Sequence, residues 1–254
     1  MVDLSIPIIF VAIIFAFVAF FYASVGLGGG SSYTALLAIF GASAATIPMV
    51  SLTLNIVVTT IGAIAFLSQG HARLRLIATF LVTSIPMAYL GGTLHIPKIL
   101  FYVLLLLSLS FAAFRIYFPT NTKPLSLDQR GKTILALICG GLLGFIAGVT
   151  GIGGGVYLVP LIILLGLGNA KEAAACGAFF IWVNSVSGLL ARLQYNSIDL
   201  ENYMPLILGA LVGGFAGSSL GASHFHPKRM QKILGSILVI AVFLLSKKVL
   251  VLVS

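Results

Sequence analysis

The chain has 254 residues, 60% of them hydrophobic and only 7% charged, against about 25% charged in an ordinary soluble domain. Too little polar surface is present to wrap a core of that size, so the solvent for most of the chain is lipid. The formal charge of +9 sits in short connecting segments with no basic stripe of interleaved aromatics; this argues against nucleic acid as a partner and for membrane topology as the reason for the charge.

Residues 1–5 carry Asp3 and no Lys or Arg. With no basic n-region, the first apolar run is expected to remain in the mature protein. Runs near the roughly 20 residues needed to cross a bilayer follow at Ile6–Ala23, Ile47–Ser68, Leu76–Leu94, Ile99–Phe118, Thr133–Val149, Ala173–Leu190, Tyr203–Ala222 and Ile233–Val253. Two shorter apolar pieces, Ser31–Phe40 and Val156–Leu165, each directly follow a glycine cluster. At about half the spanning length they are predicted as half-helices. Cys139 and Cys176 lie in apolar runs without a partner spacing and read as packing residues.

The longest polar stretch, Pro119–Lys132, divides the chain near its middle, and the two sides match. Gly26-Leu-Gly-Gly-Gly30 is followed by ten residues and Gly41; Gly151-Ile-Gly-Gly-Gly155 is followed by ten residues and Gly166. A register shift of one residue then aligns Gly62 with Gly188 and Met87–Leu94 with Gly213–Leu220, and Ile96-Pro-Lys98 falls near His226-Pro-Lys228. The expected organisation is a duplicated transporter-like unit: residues 1–118, a connecting loop 119–132, and residues 133–254. Each repeat holds one glycine-broken re-entrant hairpin and three full transmembrane helices, an all-α polytopic fold.

If each hairpin returns to the side it entered from, the second repeat is inverted. One face then gathers Arg73, Arg75, Arg115, Lys123, Arg130, Lys132, Lys171, Lys228, Arg229 and Lys232, ten of the 14 Lys and Arg residues; the other keeps Lys98, Arg192, Lys247 and Lys248. Counting each hairpin as a crossing weakens the split to nine against five. The stronger asymmetry favours inverted repeats with both termini outside.

Three near-consecutive glycines inside a membrane segment leave backbone amides outside helical pairing, which is tolerated only where protein or a watery cavity surrounds them. The half-helix after each cluster aims the positive end of its dipole toward mid-membrane. Two such ends at a repeat interface would hold an anion largely by backbone amides. The candidate residues are Gly28, Gly29, Gly30 and Ser31 in the first cluster and Gly153, Gly154, Gly155 and Val156 in the second. The alternative is that the glycines only let helices pack, which is the reading for the four-residue series Gly209, Gly213, Gly217, Gly221 and Gly140, Gly144, Gly148. A dinucleotide fingerprint is rejected, since neither cluster has the third spaced glycine or the later acidic residue.

No Asp or Glu lies inside a span, which argues against a carboxylate relay. Asn55 and Asn184, three residues out of register between the repeats, can donate to an anion or merely bond a neighbouring helix. Ser185, beside Asn184, and Ser32, beside Ser31, add hydroxyls that equally serve their own backbone. Arg192, Arg73 and Arg75 could offset a substrate charge or anchor helix ends. Trp182 either lines a cavity or packs. His224 and His226, without Cys, Asp or Glu nearby, read as a solvated loop, and no metal or cofactor is expected. An intramembrane protease would need paired aspartates or a Ser/His pair, yet all four histidines lie near span ends.

Gly26–Gly30, Gly151–Gly155 with Pro160, Asn184-Ser185, the Ser197-Ile-Asp199 loop and the Pro227-Lys-Arg229 turn together resemble the TauE/SafE family, the sulfite and organosulfonate exporter-like permeases. The resemblance extends over nearly the whole chain. It implies alternating-access export of small sulfur-containing anions, such as sulfite or sulfoacetate, across a bacterial inner membrane. Two departures stand out: Ala35 occupies the place of Pro160 in the first repeat, and the first-repeat loop Ala72-Arg-Leu-Arg75 replaces an acidic one. The expected partners are thus a small anion and the lipid bilayer. An anion channel, another carboxylate or oxyanion substrate, a coupling H⁺ or Na⁺, and a homo-oligomer all stay open.

Overall fold

The computed structural model describes residues 6–68, 70, 72–118, 127–197, 199, 201–224 and 227–253. Most of the expected connecting loop 119–132, with Lys123, lies outside the described residues, as do Asp3, Ile198 and His226. Among the described residues ten α-helices follow in order: α1 (Ile8–Ser24), α2 (Gly30–Ile39), α3 (Thr46–Ser68), α4 (Leu74–Thr93), α5 (Lys98–Tyr117), α6 (Gln129–Thr150), α7 (Gly155–Leu164), α8 (Ala170–Leu193), α9 (Met204–His224) and α10 (Pro227–Val253). No strand occurs among the described residues.

Seven of these helices are long and apolar enough to cross a membrane. The first expected run falls short of that. Helix α1 has 17 residues, or about 25 Å at the α-helical rise. Helix α6 has 22 and by length alone could cross, although its first turn, Gln129–Lys132, is polar. The outer surface is apolar, with Phe17 63%, Phe215 65% and Val251 75% exposed. Aqueous solvent would penalise such a surface and lipid does not.

Local chemistry sets the helix ends. At α8, Asn169 accepts from the Lys171 and Glu172 amides, both at 3.0 Å, and Glu172 Oε2 accepts from the Asn169 amide at 2.9 Å, a reciprocal capping box. Asp128 caps α6 through the Gly131 amide at 3.0 Å. The ten-residue helices α2 and α7 end alike. Gly41 (φ +97°) and Gly166 (φ +61°) turn the chain, and the next amides return, Ala42 to Leu37 O and Leu167 to Ile162 O, each at 3.0 Å. Both are Schellman closures, which explains why the two half-length helices stop where they do.

Two helix pairs run parallel in close contact, and glycine makes each approach feasible. Gly209, Gly213 and Gly217 of α9 face the carbonyls of Ala12, Ala16 and Phe20 of α1. Gly140, Gly144 and Gly148 of α6 face the carbonyls of Phe80, Ser84 and Ala88 of α4. A Cβ at any of the six would overlap the facing backbone, so these seams are the packing glycines the spacing suggested. In each pair, the first helix of one half of the chain lies on the fourth helix of the other half. Helices α3 and α8 also meet, and between these contacts the two glycine-broken segments are drawn together.

Candidate functional site

Two breaks interrupt the helices. The first lies between the end of α1 at Ser24 and the start of α2 at Gly30, with Gly26 (φ +78°) and Gly29 (φ +95°) left-handed. The second lies between the end of α6 at Thr150 and the start of α7 at Gly155, with Gly151 (φ +79°), Gly153 (φ +86°) and Gly154 (φ +74°) left-handed. A side chain is strained in that region and glycine is not, so these clusters stop the helices. Helices α2 and α7 begin without a side-chain cap. The amides of Gly30 and Ser31, and of Gly155 and Val156, precede the first bonds of each helix, which Ser32 and Tyr157 make to Gly29 O and Gly154 O, and each helix presents its positive end to the break.

The breaks meet at one face of α3. Ser51 Oγ lies 3.2 Å from Gly30 O and 2.9 Å from Gly151 O, donating toward both clusters. One turn on, Asn55 Nδ2 reaches Gly151 O at 3.4 Å and Ile152 O at 3.5 Å. A Cβ on Gly28 would stand 2.8 Å from Asn55 Oδ1, and one on Gly153 2.8 Å from Asn55 Nδ2. A Cβ on Gly30 would overlap both Asn55 and Ile152 O. Asn55 is fully buried and its Oδ1 has no partner among the described residues. An unsatisfied buried acceptor costs about 1–3 kcal/mol. The fold thus spends stability on an amide at the contact of its two breaks.

The other candidates divide. Ser31 joins Tyr22 Oη at 2.7 Å and Ser32 joins it at 2.9 Å, so both hydroxyls brace α1 against α2. Gly29 sits against the Tyr33 ring and Gly154 against Phe180. Val156 is half-buried. Asn184 donates to Phe180 O of its own helix at 2.8 Å, while its Oδ1 and Ser185 Oγ are buried without partners among the described residues. Arg192 is 7% exposed and gives Nη2 to Gly148 O at 2.9 Å and Val149 O at 2.7 Å. It satisfies the C-terminal carbonyls of α6 just before the second break, and its Nε has no partner among the described residues. Arg73 bonds Leu167 O at 3.1 Å and Glu172 at 3.3 Å, at the opposite end of α7 from the break. Trp182 donates to Thr60 at 2.9 Å.

The sequence reading missed Ser51 and Ile181. Ser51 precedes Asn55 by one helical turn on the same face, a spacing that a search for paired polar groups would have caught. Ile181 Cγ2 lies 3.1 Å from a Cβ position on Gly28 and 2.9 Å from one on Gly153. No polar pattern announces such a residue. Beside the second break, a cavity of about 290 Å³ opens between α5, α6 and α7, bounded by Leu107, Phe111, Val149, Thr150 and Tyr157. Its wall is apolar except where Ser108, Thr150 and Tyr157 reach it; Tyr157 Oη donates to Ser108 O at 2.6 Å.

The sequence pattern of the family described as sulfite exporter TauE/SafE matches residues 11–245. A probable membrane transporter protein of Sinorhizobium fredii, y4hK, is 32% identical over 91% of this chain and 94% of its own length. A probable membrane transporter protein of Bacillus subtilis, YjnA, is 26% identical over 85% of this chain and 91% of its own. No solved structure matches the chain. With seven helices long and apolar enough to cross a bilayer, the chain belongs to the sulfite exporter TauE/SafE family, as a multi-pass membrane protein of the transporter class.

Proposed function

We propose that the protein exports small sulfur-containing anions, such as sulfite or an organosulfonate, across a bacterial inner membrane by alternating access. Two inverted repeats, residues 1–118 and 133–254, would each supply a re-entrant hairpin, α1–α2 and α6–α7. Contacts at the helix ends support that arrangement. Helix α2 ends at Ala38 O beneath Lys248 Nζ of α10, 2.5 Å away, and Lys248 also stands over Tyr102 in the first turn of α5. Helix α7 ends instead beside Arg73, at the start of α4. The two half-helices therefore exit beside opposite ends of the long helices.

The observation that carries the reading is the meeting of the two breaks around Ser51 and Asn55. Two uncapped helix N-termini sum to roughly one positive charge, suited to a monoanion. Asn55 adds an amide that can turn to a sulfonate oxygen, and Arg192 would serve a second charge. Gly28–Ser31, Gly153–Gly155 and Asn55 are all buried, so the junction is closed and must open to load. An occluded site with a cavity beside one break fits a conformational cycle better than a permanent pore.

The test is flux in proteoliposomes. Labelled sulfite and sulfoacetate should accumulate by counterflow against the same unlabelled anion, with H⁺ and Na⁺ gradients imposed in turn to find any coupling. Rapid flux without counterflow would make the protein an anion channel. Transport of neutral solutes or cations alone would remove the anion assignment.

A further inference from the structure

The structure carries a second basic concavity, far along α7 from the glycine breaks. A cavity of about 660 Å³ lies between the first turns of α4 and α6, floored by Gly166 and Leu167 just past the end of α7. Arg73, Arg75 and Thr79 line it from α4, and Gln129, Lys132 and Thr133 from α6. Among the described lining residues there is no carboxylate. Glu172, 3.3 Å from Arg73 Nη1, offsets one guanidinium from outside the wall. Arg75 and Lys132 then leave a surplus of about two positive charges, with the Gln129 amide as a further donor; Thr79 and Thr133 give their hydroxyl protons to Arg75 O and Gln129 O of their own helices.

That donor set has a specific chemistry. Guanidinium, ammonium and amide donors around one concavity match a tetrahedral oxyanion, whose oxygens accept from several directions. Lys132 is half-buried, so its charge is less screened than an exposed lysine's. Two like charges from separate helices, α4 and α6, also repel unless something negative sits between them.

We propose that this cavity is a binding site for a tetrahedral oxyanion, a sulfate- or phosphate-type group, distinct from the junction of the glycine breaks. The group would bridge Arg75 of α4 and Lys132 of α6. Arg73, holding Leu167 O at 3.1 Å, ties the same corner to the end of α7, so occupancy fastens that half-helix to its neighbours. The oxyanion is either a free anion from the adjoining water or the phosphate of a lipid headgroup.

The test uses full-length protein, delipidated in nonionic detergent at low ionic strength. Equilibrium dialysis against labelled sulfate and phosphate is run on the wild type, on Arg75→Gln/Lys132→Gln and on Asn55→Leu. In a second arm, native mass spectrometry counts phosphatidylglycerol and phosphatidylcholine retained by each protein. Gel filtration confirms that the variants stay folded. The free-anion form of the proposal requires a bound anion whose affinity falls at least tenfold in the double variant and is unchanged in Asn55→Leu. The headgroup form requires phosphatidylglycerol, not phosphatidylcholine, to be retained by the wild type and lost by the double variant. Equal binding by wild type and double variant in both arms, or none by the wild type in either, overturns the site.

Discussion

Asn55 and Ile181 occupy equivalent places on two sides of the crossing between the helix breaks. Their separation, 181 − 55 = 126, is the same as that of the aligned glycines, 188 − 62 = 126. Each side chain reaches Gly28 of the first break and Gly153 of the second. Asn55 also presses on Gly30, and Ile181 on the matching Gly155. The lining is therefore one-sided, an amide facing a branched alkyl group. The apparent partner of Asn55 in the sequence, Asn184, lies almost a turn further along and bonds its own helix.

Asn55→Leu should reduce sulfite counterflow at least tenfold while leaving a folded protein. The substitution removes hydrogen bonds of 3.4 and 3.5 Å together with the unsatisfied Oδ1, so these terms partly cancel and the stability loss should stay at about 1–2 kcal/mol. Thermal unfolding in detergent and flux are measured on the same preparation. Unchanged flux would place the anion elsewhere.

Gly30→Ala and Gly62→Ala make a matched pair. At Gly30 the new Cβ would overlap Ile152 O and Asn55, prising the breaks apart at about 1–3 kcal/mol or more. At Gly62 it would sit 4.0 Å from the Ala178 methyl, an ordinary contact, and helix propensity favours alanine by up to about 1 kcal/mol. The first variant should melt several degrees lower than wild type. The second should melt at or above it.

Neighbouring glycines of α9 should differ just as sharply. A Cβ on Gly213 would overlap the Ala16 carbonyl, whereas one on Gly214 would lie 3.4 Å from the Val58 methyls, which can shift. Gly213→Ala should therefore destabilise by about 1–3 kcal/mol and Gly214→Ala by a small fraction of that. Comparable melting temperatures for the two would contradict the close parallel seam of α1 and α9.

Arg192→Met would leave Gly148 O and Val149 O without the donor that now serves them, costing about 1–3 kcal/mol for each buried acceptor left bare. Arg192→Lys keeps a donor and a charge but loses the planar fork. If Arg192 also meets substrate, the lysine variant should fold, keep its kcat and raise KM about tenfold for a dianion such as sulfoacetate, with less effect on a monoanion. An equal KM for both anions would confine Arg192 to holding α6.

Much of the architecture was legible because the bilayer imposes it locally. Spanning length marked seven of the eight expected long runs, and the half-helices expected at Ser31–Phe40 and Val156–Leu165 fall within one residue of α2 and α7. The short α1 was not: the run expected at Ile6–Ala23 ends within a residue of the helix, but the helix begins only at Ile8, after Pro7, and so has 17 residues. For the candidate site, the glycine clusters announced themselves by composition. Ser51 and Ile181 did not, since a lone serine and a lone isoleucine in apolar helices look like every other.

The sequence by itself determined that the chain lives in lipid, that its halves match, and that glycine interrupts each half once. These are properties of composition and of backbone freedom, which act within a few residues. Tertiary structure alone decided that the two interruptions touch, that Asn55 is wedged between them, and that Ile181 is its counterpart. Those contacts join residues as far as 181 − 28 = 153 positions apart. They arise only when glycine seams let α1 close on α9 and α4 on α6, a condition that helix packing sets and no local pattern encodes.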